Sequence, residues 1–217
     1  MTSTTKGLVL ALALAASGTL ANATPLNFLP TTTVASVSTF LGGTELAFAA
    51  TPISNTSYNG TARSAVYREA GGTLDFYYQF TNNPSSANGV ERFSGYDFSS
   101  LGAATVNVFQ TGAAFGSFVT GTENADYADR TALGVIAFSF VPSGHTKINP
   151  GVTSFTEIVQ TNASDWKVGN FGLLDGIGDN GVGFAPVSPV PEPGTYLLLL
   201  AGLGVMTFVA RRRQAAI

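Results

Sequence analysis

The stretch from Thr73 to Thr81 alternates between two kinds of side chain. The apolar positions are Leu74, Phe76, Tyr78 and Phe80, and the positions between them are Asp75, Tyr77 and Gln79. Successive side chains of a β-strand point to opposite faces, so this period of two predicts a strand with one buried face and one polar face. The buried face must pack against a second layer, which favours a two-layer β architecture.

The same period recurs between turn-forming residues along the body of the chain. The turn at 70–72 predicts a hairpin between Ser64–Glu69 and the strand above, and Gly42–Gly43 predicts another between Val34–Phe40 and Thr44–Ala50. Further predicted strands are Val90–Phe93, Ala104–Gln110, Phe115–Thr120, Leu133–Val141, Ser154–Thr161 and Trp166–Leu173. Residues 63–70 also suit a short helix, although the strand is preferred. We predict an all-β antiparallel sandwich over 24–184, of the jelly-roll or immunoglobulin-like type.

The amino-acid composition excludes some ways of stabilising this body and some classes of binding partner. The chain has no cysteine, so disulfides and thiolate metal sites are excluded. Between Thr24 and Val190 there are six basic and twelve acidic residues, a net charge of −6. Nucleic acid is not an expected partner, because binding a polyanion requires a basic surface.

The first 23 residues have the organisation of a secretory signal peptide. Lys6 precedes the apolar run Gly7–Ala16, and Ala21-Asn22-Ala23 has the small-x-small pattern that signal peptidase cleaves. An apolar stretch of about ten residues is too short for a permanent membrane span. Cleavage after Ala23 and export of the body are therefore expected.

The opposite end predicts a transmembrane helix within residues 196–217. Gly194–Ala210 is an uncharged run, and its 17 residues extend about 26 Å as a helix, just under the ~30 Å of a bilayer core. Arg211, Arg212 and Arg213 follow it and should stay cytoplasmic under the positive-inside rule. The body would then lie outside the inner membrane.

A proline-rich segment over 185–195 connects the body to this helix. Its prolines at 186, 189, 191 and 193 predict an extended, accessible arm. Val190-Pro191-Glu192-Pro193, the apolar helix and the terminal arginines together resemble the PEP-CTERM sorting signal of Gram-negative bacteria. The resemblance implies recognition and processing by an exosortase-type membrane protease, then delivery to the cell surface or exopolysaccharide matrix. Tyr67–Phe80 is also similar to a motif of PEP-CTERM proteins of unassigned role, and it implies no activity.

Two acidic stretches offer oxygen ligands, and calcium is the ion they would suit. One contains Asp175, Asp179 and Asn180, and the other is Glu123–Asp129. Neither has the spacing of a calcium loop, so solvated loops and no cofactor are expected. Gly176–Gly181 matches the dinucleotide-binding glycine pattern, but no helix follows it, and a glycine-rich loop between late strands is predicted.

No residue pattern predicts catalysis. His145 lies in a polar loop, and the sequence has no nucleophile elbow whose serine this histidine could activate. No catalytic residue is therefore assigned. Tyr77 is placed by alternation on the polar face beside Asp75 and Gln79, where it would contact a glycan. The sequence thus predicts an exported, noncatalytic surface or matrix protein, anchored in the inner membrane during transit. The alternative is a carbohydrate-binding module of the exopolysaccharide matrix, assisted by calcium.

Overall fold

The chain consists mostly of antiparallel strands arranged in two sheets. Its computed structural model describes residues 24–26, 31–95, 97–102, 105–141, 147–187, 198–203 and 206. The strands in the described residues are β1 Thr24–Pro25, β2 Thr32–Thr33, β3 Ala35–Ser36, β4 Thr44–Ser54, β5 Asn59–Arg68, β6 Leu74–Asn82, β7 Arg92–Gly95, β8 Val106–Thr111, β9 Tyr127–Arg130, β10 Ile136–Ser139, β11 Thr156–Thr161, β12 Trp166–Asp175 and β13 Ile177–Pro186. Residues 198–203 and 206 are helical.

Sheet A has the strand order β1-β8-β11-β6-β5-β4, and β3 pairs in parallel with β8. The predicted hairpin around 70–72 is confirmed, because β5 and β6 pair over their lengths with Val66 opposite Phe76. The second predicted hairpin is wrong. Thr44–Ser54 pairs with β5 along its whole length, and β3 pairs with β8 instead.

Sheet B has the strand order β13-β12-β7-β10-β9-β2. Its longest pairing is the β12–β13 hairpin, in which Trp166 lies opposite Pro186 and Asp175 opposite Ile177. The predicted glycine-rich loop is therefore a strand, with Gly176 alone, at a φ of 65°, making the turn. Ala185 and Pro186 also belong to β13, so the sandwich extends two residues into the predicted proline-rich arm.

The two sheets pack face to face around the main core. Sheet A contributes the predicted apolar face of β6, and its Tyr78 ring lies 5.4 Å from the ring of Phe171 in sheet B. Tyr78 also donates a hydrogen bond of 2.6 Å to the carbonyl of Phe184, which satisfies its hydroxyl inside the core. The predicted two-layer, all-β architecture is confirmed.

The other face of sheet A is covered as well. Phe40, Phe109, Phe118 and Ile158 form a second apolar cluster there with Tyr67 and Tyr77. The cover is tied to the sheet by Gln79, whose side-chain amide donates to the carbonyl of Val119 at 2.7 Å and accepts from its N–H at 3.1 Å. Strand β6 is therefore buried on both faces.

Candidate functional sites

A groove of about 400 Å³ crosses the outer face of sheet B. Two neighbouring rows of residues run across the strands beneath it. One row is Asn180, Gly172, Ser94 and Ala137, and the other is Gly178, Leu174, Arg92 and Ser139. Directly opposed residues of an antiparallel sheet share a face, so each row presents its side chains together. The two glycines leave gaps in these rows, which gives the surface its depth.

Arg92 is held rigidly at one side of this groove. Its guanidinium donates two hydrogen bonds to the Asp129 carboxylate, at 2.7 and 2.8 Å, and another of 2.8 Å to the Ser139 hydroxyl. The bidentate pairing fixes the plane of the guanidinium and neutralises its charge with that of Asp129. The groove is thus lined by a guanidinium group that is fixed in position and whose charge is balanced by Asp129.

The neutral polar side chains of the groove are available for hydrogen bonding to a ligand. Neither the Ser94 hydroxyl nor the Asn180 side-chain amide takes part in a hydrogen bond within the described part of the chain. Asp179 also lines the groove, and its carboxylate accepts from the Asn180 backbone N–H at 2.8 Å. A hydroxyl and an amide each both donate and accept, so they match ligands that carry hydroxyl groups.

The two acidic stretches take other roles in the structure. Asp175 accepts hydrogen bonds from Lys147 at 2.8 Å and from Ser57 at 2.5 Å, and Asp129 belongs to the Arg92 pair. Burial of Asp175 opposes its ionisation, but the bonds from Lys147 and Ser57 outweigh it, so its pKa lies below the usual range. No group of three or more acidic or histidine side chains able to hold a metal occurs among the described residues.

The predicted glycan contact at Tyr77 is wrong, because that side chain is fully buried. Alternation places Tyr77 correctly opposite the main core, but Phe40 stacks on it at 5.4 Å and Phe118 lies 6.1 Å away. The rings that cover it come from distant segments of the chain. A sugar ring has no access to this face without displacing them.

Two carboxyl groups are buried in sheet A rather than placed in a cleft. Asp75, beside Tyr77, is fully buried, and neither of its oxygens makes a well-formed hydrogen bond with the described residues. Burial raises the pKa of Asp75 to about 8, and the nearby Glu69 carboxylate adds to the effect. On the core side, burial raises the pKa of Glu157 well above its usual range. Asp75 therefore favours its neutral form at pH 7.

The described residues of the C-terminal helix present bare apolar side chains. Leu198, Leu199, Leu200, Leu203 and Met206 are each half exposed or more. Apolar side chains in such a group mark a segment that contacts a membrane or another protein. Within the described ranges, no helical segment has both the length and the apolar character needed to span a membrane.

Residues 189–213, which include this helix, match the family model of the PEP-CTERM protein-sorting motif. The chain carries a PEP-CTERM sorting domain. The motif implies export, recognition by an exosortase in the membrane, and sorting to the cell surface. No curated protein and no solved structure matches the chain.

The sorting domain contains the residues that carried the resemblance in the sequence. These are Val190, Pro191, Glu192 and Pro193 in the motif, and Arg211, Arg212 and Arg213 at its end. They lie outside the described residues, as do the signal-peptide positions Ala21 and Ala23 and the loop residue His145. Sequence reasoning did not anticipate the groove, because Arg92 and Ser94 belong to no motif and Gly178 lies in the glycine pattern that was predicted to be a loop.

Proposed function

We propose that this PEP-CTERM protein is a noncatalytic component of the cell surface or exopolysaccharide matrix, and that its tail is processed during sorting. The observation that carries the proposal is the position of the sorting motif. It begins at residue 189, three residues after the last sandwich strand ends at Pro186. A cut within the motif would release the sandwich without removing any strand.

The arrangement of carboxylates supports a noncatalytic role. Hydrolysis of a glycosidic bond ordinarily needs two carboxyl groups facing each other across a cleft. In the described residues, Asp179 is the single acid that lines the groove of sheet B. Asp75 and Glu157 are enclosed within the protein, where a substrate has no access.

Processing of the tail is tested with an epitope tag placed after Ile217 in the producing cells. We expect the tag to be lost and the body to appear at the surface, with a new C-terminus defined by mass spectrometry. Alanine at Pro191, Glu192 and Pro193 together should retain the tag. Pro150→Ala is the matched control, because Pro150 is an exposed proline of the body. A tag retained at full length in cells with an active exosortase would refute processing.

The second candidate function is a carbohydrate-binding module of the extracellular matrix. The groove across sheet B is the observation that favours it, since its side chains suit hydroxyl groups. Calcium assistance has less support, because Asp175 is already bonded to Lys147 and Ser57. Transfer of calcium-depleted protein into millimolar calcium should leave the melting temperature unchanged.

A further inference from the structure

We propose that the groove on sheet B is a binding site for a neutral saccharide chain. This inference rests on the proposed surface function and specifies which face of the sandwich would contact the matrix. The groove of about 400 Å³ falls within the range of about 300–1,000 Å³ typical of small-molecule sites. It lies on the sheet face away from the main core, as the register of β7, β10, β12 and β13 shows.

The first step of the argument is the mixture of surfaces in the groove. Leu174 and Val135 offer apolar contact, and Ser94 and Asn180 offer neutral donors and acceptors. A sugar ring has the same mixture, because its C–H groups form apolar patches and its hydroxyls both donate and accept. Apolar lining combined with a few convergent polar groups is the general character of ligand sites.

The second step excludes the other polymers that commonly bind β proteins. An extended peptide adds to a free sheet edge through backbone hydrogen bonds. In the middle of the groove β12 and β7 are paired on both sides, with Gly172 between Ser94 and Asn180, so a chain lying across them must bind through side chains. A polyanion is disfavoured because the charge of Arg92, the cation that lines the groove, is neutralised by Asp129. A neutral, hydroxyl-rich chain remains.

Gly178 provides a steric test of the site. A Cβ atom built at this position has the Leu173 carbonyl oxygen, 4.0 Å away, as its nearest neighbour, so a larger side chain meets no backbone. Its backbone also does not adopt a positive φ. Leucine at 178 should therefore occupy the groove without disturbing the strand. Val168→Leu is the matched control, because Val168 is exposed on the same hairpin and does not line the groove.

The experiment uses the protein recovered from the producing cells, in detergent where the tail remains attached. Saturation-transfer NMR would screen neutral oligosaccharides of glucose, mannose and galactose, with oligogalacturonate as the acidic probe. We expect binding to at least one neutral probe. Gly178→Leu should weaken it at least tenfold, and Val168→Leu should not change it. Asn180→Ala should weaken it about fivefold, the effect of one lost neutral hydrogen bond.

Three results would overturn the proposal: no binding to any neutral probe, preference for the acidic probe, or unchanged binding by both Gly178→Leu and Asn180→Ala. Melting temperatures of the variants establish that each is folded. The C-terminal mass of the same samples reports tail processing separately. Absence of saccharide binding by the wild-type protein with a processed tail contradicts the groove proposal alone, whereas an unprocessed wild-type tail contradicts the proposed sorting.

Discussion

Replacing Asp75 with asparagine should change how the stability of this PEP-CTERM protein depends on pH. Asp75 is the second residue of β6 and is fully buried on the sheet face that also carries Tyr77. Burial, reinforced by Glu69, raises the pKa of Asp75 to about 8 in the folded protein. In the unfolded chain the same group has a pKa of about 3.9.

The sign of the effect follows from proton binding. Between about pH 3.9 and 8 the folded protein holds a proton on Asp75 and the unfolded chain does not, so the free energy of unfolding falls as pH rises. The slope is about 1.4 kcal/mol per pH unit for one proton. From about pH 5 to 7.5 the loss amounts to about 3 kcal/mol. The asparagine of the Asp75→Asn variant does not titrate, so the variant should lack this loss.

The assay is urea unfolding of wild type and Asp75→Asn at several pH values between about 5 and 7.5. Other groups, Glu157 among them, contribute equally to both proteins and cancel in the difference. The variant should therefore gain about 3 kcal/mol relative to wild type across this range. Asp165→Asn serves as the control, because Asp165 is exposed and its curve should run parallel to that of wild type. Parallel curves for Asp75→Asn would refute the assignment of a buried, protonated carboxyl group.

Further predictions concern the hairpin, the ion pair and the groove. Gly183→Ala should lower the free energy of unfolding by about 1–3 kcal/mol, because its Cβ would lie 2.6 Å from the backbone of Asn170. Gly178→Ala should change the free energy of unfolding by no more than about 0.5 kcal/mol, because the space around its Cβ is open. Equal destabilisation of Gly183→Ala and Gly178→Ala in thermal denaturation would contradict the different packing at the two glycines. Arg92→Ala should lower the free energy of unfolding by about 1–2 kcal/mol, because it leaves the mostly buried Asp129 without its partner. In a double-mutant cycle, adding Asp129→Ala to this variant should restore most of the lost stability. An additive cycle would show that the pair contributes nothing.

The parts of the fold that sequence reasoning predicted are those encoded by neighbouring residues. The β5–β6 hairpin follows from alternation on either side of a short turn, and its register agrees with the apolar face of Phe76 and Tyr78. The sorting domain is equally local, since its motif, helix and arginines are continuous in the chain.

The errors arose where distant segments meet. Tyr77 occupies the face that alternation assigned, but Phe40 and Phe118 cover that face from outside the hairpin. The predicted 34–50 hairpin was wrong because Thr44–Ser54 pairs with β5 from end to end, apart from a bulge at Leu46. Strand β13 was missed because its glycines and polar residues show no apolar alternation, and pairing with β12 holds it extended.

The sequence by itself determined the all-β character of the body and the sorting domain that follows it, because both depend on patterns within short stretches. The tertiary structure decided which faces are buried and where a ligand has access. The groove requires Arg92, Leu174 and Gly178, which β7, β12 and β13 place in one row of sheet B. That row exists only through the register of strands far apart in the chain, since the faces of a sheet are defined by pairing as well as by alternation.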